Sequence, residues 1–249
     1  MNKNGERVNK AQLKENEWCL MRYQSEKLDD PPMTFDQCLT ADRRNKMEKA
    51  KDKTWSQEEK KCESPLPPFG YTGAATVNAV AMDAGLWMNY IIFGGPPVSD
   101  GSLATNAQNK DTARCQLEML KRADKLENTV IKELNKAKKQ ALKEESVDSK
   151  EELEDELVRA LSSNSKIKKS EEQLADKVDR KCKSLLAAPS MIFPGIQDTC
   201  GRPNPDLRQA EDCVIAAARC EACLTINAFD DLDLHCDAVD DRSNNGSCP

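Results

Sequence analysis

Eleven cysteines in 249 residues constrain this chain more than any other feature of its sequence. Thiols at this density in a reducing compartment are usually metal ligands arranged in CxxC pairs. The chain holds a single CxxC, formed by Cys220 and Cys223, and a single histidine, His235. Because most other cysteines stand far apart on segments with helical patterns, they indicate structural disulfides. We therefore expect an extracellular or periplasmic location.

Composition favours helices over strands. Charged residues make up 32% of the chain, and lysine, glutamate, alanine and leucine fill long stretches. These residue types favour helix, and no stretch shows the period-two alternation of a strand. The formal net charge of -6 disfavours a nucleic-acid partner, since phosphate contacts need a basic surface. The fold class we expect is all-α, a disulfide-stapled helical bundle.

One long apolar run interrupts a sequence whose mean hydropathy is -0.73. Fifteen of the twenty residues at 74–93 are apolar, and proline and glycine bracket them on both sides. The length suits a membrane span, but Asp83 near the centre costs about 2.5–3.5 kcal/mol on an insertion scale. Asn78 and Asn89 add to that cost. The run therefore predicts a buried helix at the centre of a bundle, with no membrane span.

Two helices joined by a turn with two prolines are predicted before the apolar run. Residues 7–27 are amphipathic, and a mostly polar helix then runs from the N-cap Thr34 to about Cys62. Gln37, three residues after Thr34, completes a capping box. The short turn between the helices makes the pair an αα-hairpin.

The cysteine positions suggest a register for this hairpin. Folded about the midpoint of the turn, Cys19 faces Cys38, and we expect a disulfide between them. When the hairpin is folded about the same midpoint, the position that would face Cys62 lies upstream of Met1. We therefore expect that the first helix is truncated, and that the missing part held a signal peptide and a partner for Cys62. The alternatives are that Cys62 is free or pairs elsewhere.

The middle of the chain predicts a second, longer hairpin of two antiparallel helices. From Thr105 onward apolar residues recur in steps of three and four, as in a coiled coil, and Ser149 with Glu152 provides a capping box for the returning helix. Folded about the turn, Cys115 faces Cys182 in phase with the apolar stripe. We expect this disulfide to staple the base of a hairpin roughly 50 Å long, at 1.5 Å per residue.

The C-terminal segment holds six cysteines. Residues 187–205 have the proline and glycine content of a loop, and Pro205 and Asp206 open a last helix that ends at about Ala228. Residues 229–249 form an acidic tail that we expect to be irregular.

Three of these six cysteines lie on one face of the last helix. Bridges between them would exceed the reach of a disulfide or strain the helix, since bonded cysteines have Cα atoms within about 7 Å. Each should therefore pair with one of the three loop cysteines, which leaves six connectivities open rather than fifteen. The helical members are Cys213, Cys220 and Cys223, and the loop members are Cys200, Cys236 and Cys248.

Two metal sites are the competing hypotheses for this segment. Zinc could take its ligands from the CxxC together with His235 and Cys236, although the spacing follows no strong pattern. Calcium takes six to eight oxygen ligands, which aspartates of the tail could supply, but the spacing and glycine of an EF-hand are missing. The calcium candidates are Asp231, Asp233, Asp237, Asp240 and Asp241. The favoured interpretation is a solvated acidic loop held by disulfides, without a cofactor.

No catalytic set emerges from the sequence. The cysteines near His235 are better used in bridges, no glycine-rich phosphate loop is present, and charged residues recur at the spacing of solvated helix faces. We therefore expect a non-enzymatic structural or binding protein whose partner is a protein or another cell-surface component. Extracellular binding of calcium or zinc through residues 220–241 is the alternative.

Three stretches carry a resemblance to other proteins. They are FDQCLTADRRNKMEKAKDKT, the block from PPFGYTGAATVNA to IFGGPPVSD, and the ending CVIAAARCEACLTINAFDDLDLHCD with NGSCP. They resemble a class of uncharacterised, cysteine-rich, all-helical exported proteins predicted from environmental bacterial genomes. The resemblance covers most of the chain and implies export, often with a signal peptide before a first helix that carries one more cysteine. It implies no activity and no site residues.

These segments divide the chain into three predicted regions, which could also form one continuous domain. Residues 1–105 hold the first hairpin and the apolar helix, and residues 106–187 hold the long hairpin. Residues 188–249 hold the cysteine-rich helix and the acidic tail.

Overall fold

The computed structural model describes residues 2–28, 33–62, 71–144, 147–185 and 188–240, together with Gly246 and Cys248. Across these residues every regular element is a helix, and no strand is present. The predicted all-α, disulfide-stapled fold is therefore confirmed. Several residues used in the predictions lie outside the described ranges: Pro31, Pro32, Pro67, Pro68 and Asp241.

The N-terminal region holds three helices where two are predicted. They are α1 (Asn2–Gln24), α2 (Phe35–Thr40) and α3 (Lys46–Lys61). At the start of α2, Thr34 accepts the backbone N–H of Gln37, and the Gln37 side chain accepts the backbone N–H of Thr34. This is the predicted capping box.

A non-helical segment, residues 41–45, divides the helix predicted to run from Thr34 to about Cys62. Asp42 and Asn45 adopt left-handed backbone angles, with φ of 41° and 51°. The Asp42 carboxylate accepts the first three backbone N–H groups of α3 and so caps that helix. Aspartate and asparagine tolerate this conformation because their short polar side chains bond the nearby backbone.

The apolar run forms α4 (Gly73–Phe93), which packs against α1 and α3. Its burial is less complete than predicted. A stripe of residues with four-residue spacing faces solvent, and Trp87 in that stripe is 41% exposed. The stripe consists of Ala75, Ala79, Asp83 and Trp87. The helix is therefore central to the fold but buried on only part of its surface.

The long hairpin follows a short 3₁₀ turn at Asp100–Ser102. Its outgoing arm is α5 (Asn106–Lys143), and its returning arm consists of α6 (Lys150–Ser163) and α7 (Ser165–Cys182). The returning arm begins at the predicted N-cap, because Ser149 accepts the backbone N–H of the third residue of α6.

The returning arm is broken where a single helix is predicted. Asn164 has φ -71° and ψ 116°, and its side-chain oxygen accepts the backbone N–H groups of Lys166 and Ile167. Asn164 thus ends α6 and caps α7. It lies in phase with the apolar stripe, which is why periodicity alone places it inside a helix.

The C-terminal region contains more helix than predicted. Two short helices occupy part of the predicted loop, and another lies in the tail predicted to be irregular. Each helix of the loop region begins with proline, whose fixed φ suits the first helical position. The four C-terminal helices are α8 (Pro189–Ile192), α9 (Pro194–Cys200), α10 (Leu207–Asp230) and α11 (Asp237–Asp240).

The buried core connects these helices. Helix α4 also packs against α9 and α10, while α5 packs against α1, α7 and α10. Phe35 meets Phe93 edge to face at 6.3 Å between ring centroids, and Tyr23 meets Phe35 in the same way at 6.2 Å. In the part of the chain that the structure describes, no helix has the length and apolar content needed to span a membrane.

Candidate functional site

Five disulfides are the main covalent feature of the molecule. Cys19 and Cys38 are joined across the first hairpin with Cα atoms 5.8 Å apart, in the pairing that the mirror about its turn predicts. Cys115 and Cys182 are joined at the base of the long hairpin with Cα atoms 5.1 Å apart. Both separations lie in the range that a disulfide requires.

The C-terminal bridges each join one cysteine of α10 to one cysteine outside it. The bonded Cα atoms lie 6.0, 5.6 and 5.6 Å apart for the pairs Cys200–Cys213, Cys220–Cys248 and Cys223–Cys236. This is one of the six connectivities that the sequence leaves open. One detail differs from the prediction, because Cys200 is the last residue of α9 and not part of a loop.

Cys62 forms no bridge, although all eleven cysteines belong to the described residues. It is the C-cap residue of α3 and is partly exposed. The structure therefore has the free thiol that is one of the predicted alternatives. A cysteine partner upstream of Met1 stays a prediction.

The acidic tail gathers no metal site in the described residues, where no group of three or more His, Cys, Asp or Glu side chains could hold a metal ion. Asp237 instead accepts the backbone N–H groups of Gly246 and Cys248, at 3.0 and 3.1 Å. Asp231, the C-cap residue of α10, and Asp233 are exposed. The predicted solvated acidic loop therefore holds for Asp231 and Asp233, but not for Asp237 and Asp240, which are buried.

The zinc alternative lacks ligands in this structure. Cys220, Cys223 and Cys236 are all bonded to other cysteines, so none of them is a thiolate that could bind zinc.

Asp240, a calcium candidate, is buried on α11, and its backbone N–H donates to the carbonyl of Cys236. Asp241 lies outside the described ranges, so calcium binding by the tail stays a prediction.

A groove of about 530 Å³ opens along the far part of the long hairpin. Three alanines line it where α5 meets α6, and their small side chains fill little of the space between the helices. On its rim, Lys136 and Lys166 both contact Glu133, at 2.8 and 3.4 Å. The alanines are Ala137, Ala141 and Ala160. The groove contains no nucleophile paired with a base among its described lining residues.

A ladder of amides lies where α1 packs against α4. Asn9, Gln12 and Asn16 are all 0% exposed. Asn16 Nδ2 donates to the carbonyl of Gly85 at 2.5 Å, and Asn9 Nδ2 lies 3.5 Å from the carbonyl of Ala81. A Cβ at Gly85 would lie only 2.7 Å from Gln12, so the close approach of the two helices depends on this glycine.

Two carboxyl groups of α5 lie in the same interior. Asp124 and Glu127 are 2% and 0% exposed. Glu127 Oε1 accepts a hydrogen bond from Asn9 Nδ2 at 2.7 Å. Glu127 Oε2 and both carboxylate oxygens of Asp124 are buried without a hydrogen-bond partner among the described residues.

Burial raises the pKa of both carboxyl groups well above the ordinary value, because water no longer stabilises their charge. Neighbouring acids add to the effect, since Glu127 acts on Asp124 and Glu221 of α10 acts on Glu127. Burial together with Asp83 raises the pKa of Glu221 to about 7. We call Asn9, Asp124, Glu127 and Glu221 the acid–amide cluster. It can bind and release protons. Asn9, Asp124 and Glu127 are enclosed between helices, whereas Glu221 is partly exposed.

Sequence patterns did not indicate this cluster. Asn9, Gln12 and Asn16 recur at the three- and four-residue spacing of a buried helix face, but periodicity is counted on apolar residues alone. Asp124 and Glu127 are neighbours of the apolar stripe of α5 and would be solvated on an isolated hairpin. They are buried because α1 and α10 also pack on α5. The amide spacing in α1 was the available signal.

Comparison of the chain with family models, with curated proteins and with solved structures finds no match. The class of this protein can therefore be described only by its fold and by the acid–amide cluster. The chain is an all-α protein, stapled by five disulfides, with a polar cluster in its interior.

Proposed function

We propose that this chain is a non-enzymatic, secreted or periplasmic protein with a structural or binding role. The observation that carries the proposal is the pairing of ten of the eleven cysteines in five disulfides. Cytosolic reductants keep thiols reduced, so a chain with this many structural bridges is suited to an oxidising compartment. The bridges also stabilise polar helices by restricting the unfolded chain.

The partner that we propose is a protein or another cell-surface component. Trp55 on α3 and Trp87 on α4 are 45% and 41% exposed, and tryptophan is enriched at protein interfaces. The net charge of -6 argues against a nucleic-acid partner. The proposal includes no cofactor.

Counting reactive thiols in denatured, unreduced protein tests the compartment. For protein produced in a bacterial periplasm we expect one reactive thiol per chain, that of Cys62. Protein made in a reducing cytosol should be less stable, because it lacks the bridges that restrict its unfolded state. Several reactive thiols in a well-folded periplasmic product would contradict the proposal.

A calcium titration tests the metal-binding alternative. We expect the Tm to stay the same in millimolar calcium and in a chelator, since extracellular calcium modules bind in about that range. A Tm that rises with calcium and falls with the chelator would instead support binding through residues 220–241. Zinc that copurifies with several free thiols would support the zinc form of the alternative.

A further inference from the structure

Asn9 of α1 and Glu127 of α5 are joined by one hydrogen bond, and one further oxygen of each side chain is buried without a partner among the described residues. Asn9 Nδ2 donates to Glu127 Oε1 at 2.7 Å. The remaining oxygens of the pair, Asn9 Oδ1 and Glu127 Oε2, are buried and have no hydrogen-bond partner among the described residues. Both residues are 0% exposed. Two such acceptors cannot bond each other unless one of them carries a proton.

A proton on Glu127 supplies the donor that this pair lacks. A protonated carboxyl has one O–H donor, and the amide oxygen of Asn9 is an acceptor. The acid and the amide can then each donate once to the other, and no oxygen of the pair needs a further partner. We propose that a proton on Glu127 fastens α1 to α5, and that its loss loosens α1. The contact is a pH-dependent latch.

The acidic groups around this latch lie on four of the helices that pack together here. They are Glu17 of α1, Asp83 of α4, Asp124 of α5 and Glu221 of α10. Of these, Glu221 raises the pKa of Glu127, Asp83 raises the pKa of Glu221, and Glu17 together with Glu127 raises the pKa of Asp124. On α7, Glu171 is paired with Arg219 of α10 at 3.3 Å. The nearby cations act on Glu17, and they are Lys14, Arg44, Lys121 and Arg122.

The direction of the pH dependence follows from the difference between the folded and unfolded chain. Burial, followed by the charge of Glu221, raises the pKa of Glu127 well above 4.5, although the bond from Asn9 lowers it in part. The stabilisation is complete below the ordinary pKa of a carboxyl and is lost as the pH rises through the raised pKa. Within that window, one proton released on opening changes the opening equilibrium about tenfold per pH unit.

Amide hydrogen exchange tests the latch in the full chain, with rates corrected for their intrinsic pH dependence. From about pH 5 to about pH 8 we expect protection of α1 around Asn9 to fall in the native protein. Glu127→Gln supplies a permanent N–H donor where the proton would sit. The opening equilibrium of α1 should therefore lose the part of its pH dependence that Glu127 contributes, about a factor of ten per pH unit. Asp111→Asn, at a side chain that is 71% exposed on the same helix, should keep the native slope.

Other buried carboxyls contribute to the native slope, since burial together with nearby acids raises the pKa of Glu211 and of Glu221 to about 7. The deciding quantity is therefore the difference between the native and Glu127→Gln slopes. Equal slopes would overturn the proposal. Native protection that does not fall with rising pH would also overturn it, and that measurement needs no variant. Neither result depends on the compartment or partner proposed above.

Discussion

Gly195 is the position where we expect one added methyl group to be most damaging. It is buried in α9, which packs against the end of α4. A Cβ at this position would collide with the amide nitrogen of Gly94 and would lie 2.6 Å from the carbonyl oxygens of Ile91 and Tyr90. All three are backbone atoms and cannot rotate aside. The Gly195→Ala substitution therefore forces α9 away from α4.

The magnitude follows from this contact. Overpacking a dense interior costs about 1–3 kcal/mol, and rigid backbone neighbours place this case at the upper end. Displacement of α9 also loosens the buried side chains of Phe193 and Ile196, and burying one such side chain is worth about 1.5–3 kcal/mol. We expect a loss of about 3 kcal/mol or more. For a chain of this size the Tm should fall by about 6–12 °C.

Urea unfolding followed by circular dichroism, with the disulfides intact, measures this loss. Gly101→Ala is the matched control, since a Cβ there would meet only Ser99 Oγ at 3.5 Å, an ordinary contact. The control should stay within about 0.5 kcal/mol of the native protein. A Gly195→Ala variant as stable as its control would refute the reasoning, because α9 could not then lie directly on the backbone of α4.

Three further changes test other parts of the fold by urea unfolding. Replacing Cys115 and Cys182 together by serine should lower the free energy of unfolding by about 4 kcal/mol in the chain-entropy model, and no loss would contradict the staple. Lys138→Met should cost about 3–5 kcal/mol, because the ammonium lies 2.6 Å from Asp230, whose side chain is 1% exposed and would lose its ion-pair partner. Burial already raises the pKa of Asp230, so this loss should shrink as the pH falls and the carboxyl takes up a proton, and a pH-independent loss would count against it. Asp206→Ala should cost about 1 kcal/mol, because it removes the side-chain cap of α10, whereas an unchanged midpoint would show that the cap adds nothing.

The long hairpin could be predicted from sequence because independent signals agree there. The apolar spacing of α5 and α7 indicates which faces meet, and the turn before α6 sets the register. Cys115 and Cys182 are in phase with both. The caps at Thr34, Ser149 and Asp206 were also accessible, because a capping side chain bonds an N–H only two or three residues away. Capping hydrogen bonds of this kind can therefore be predicted from a few consecutive residues.

The breaks and the acid–amide cluster could not be predicted, because they depend on contacts between distant segments. Asn164 is in phase with an apolar stripe, and its choice between a helical and a capping conformation also involves its contact with Glu133, at 3.3 Å. Asp124 and Glu127 are buried only once α1 and α10 have packed on α5. The single C-terminal connectivity likewise needed the positions of α9 and the tail around α10.

The placement of the bridges has a consequence for proteolysis. The connections between α1 and α2, between α5 and α6 and between α9 and α10 each lie between two bonded cysteines, and so does the segment that follows α10. A protease that cuts one peptide bond in any of these connections leaves the two fragments covalently attached. Outside the cell, where proteases are common and no chaperone refolds a damaged chain, such a molecule would survive cuts that separate an unbridged helical protein into pieces.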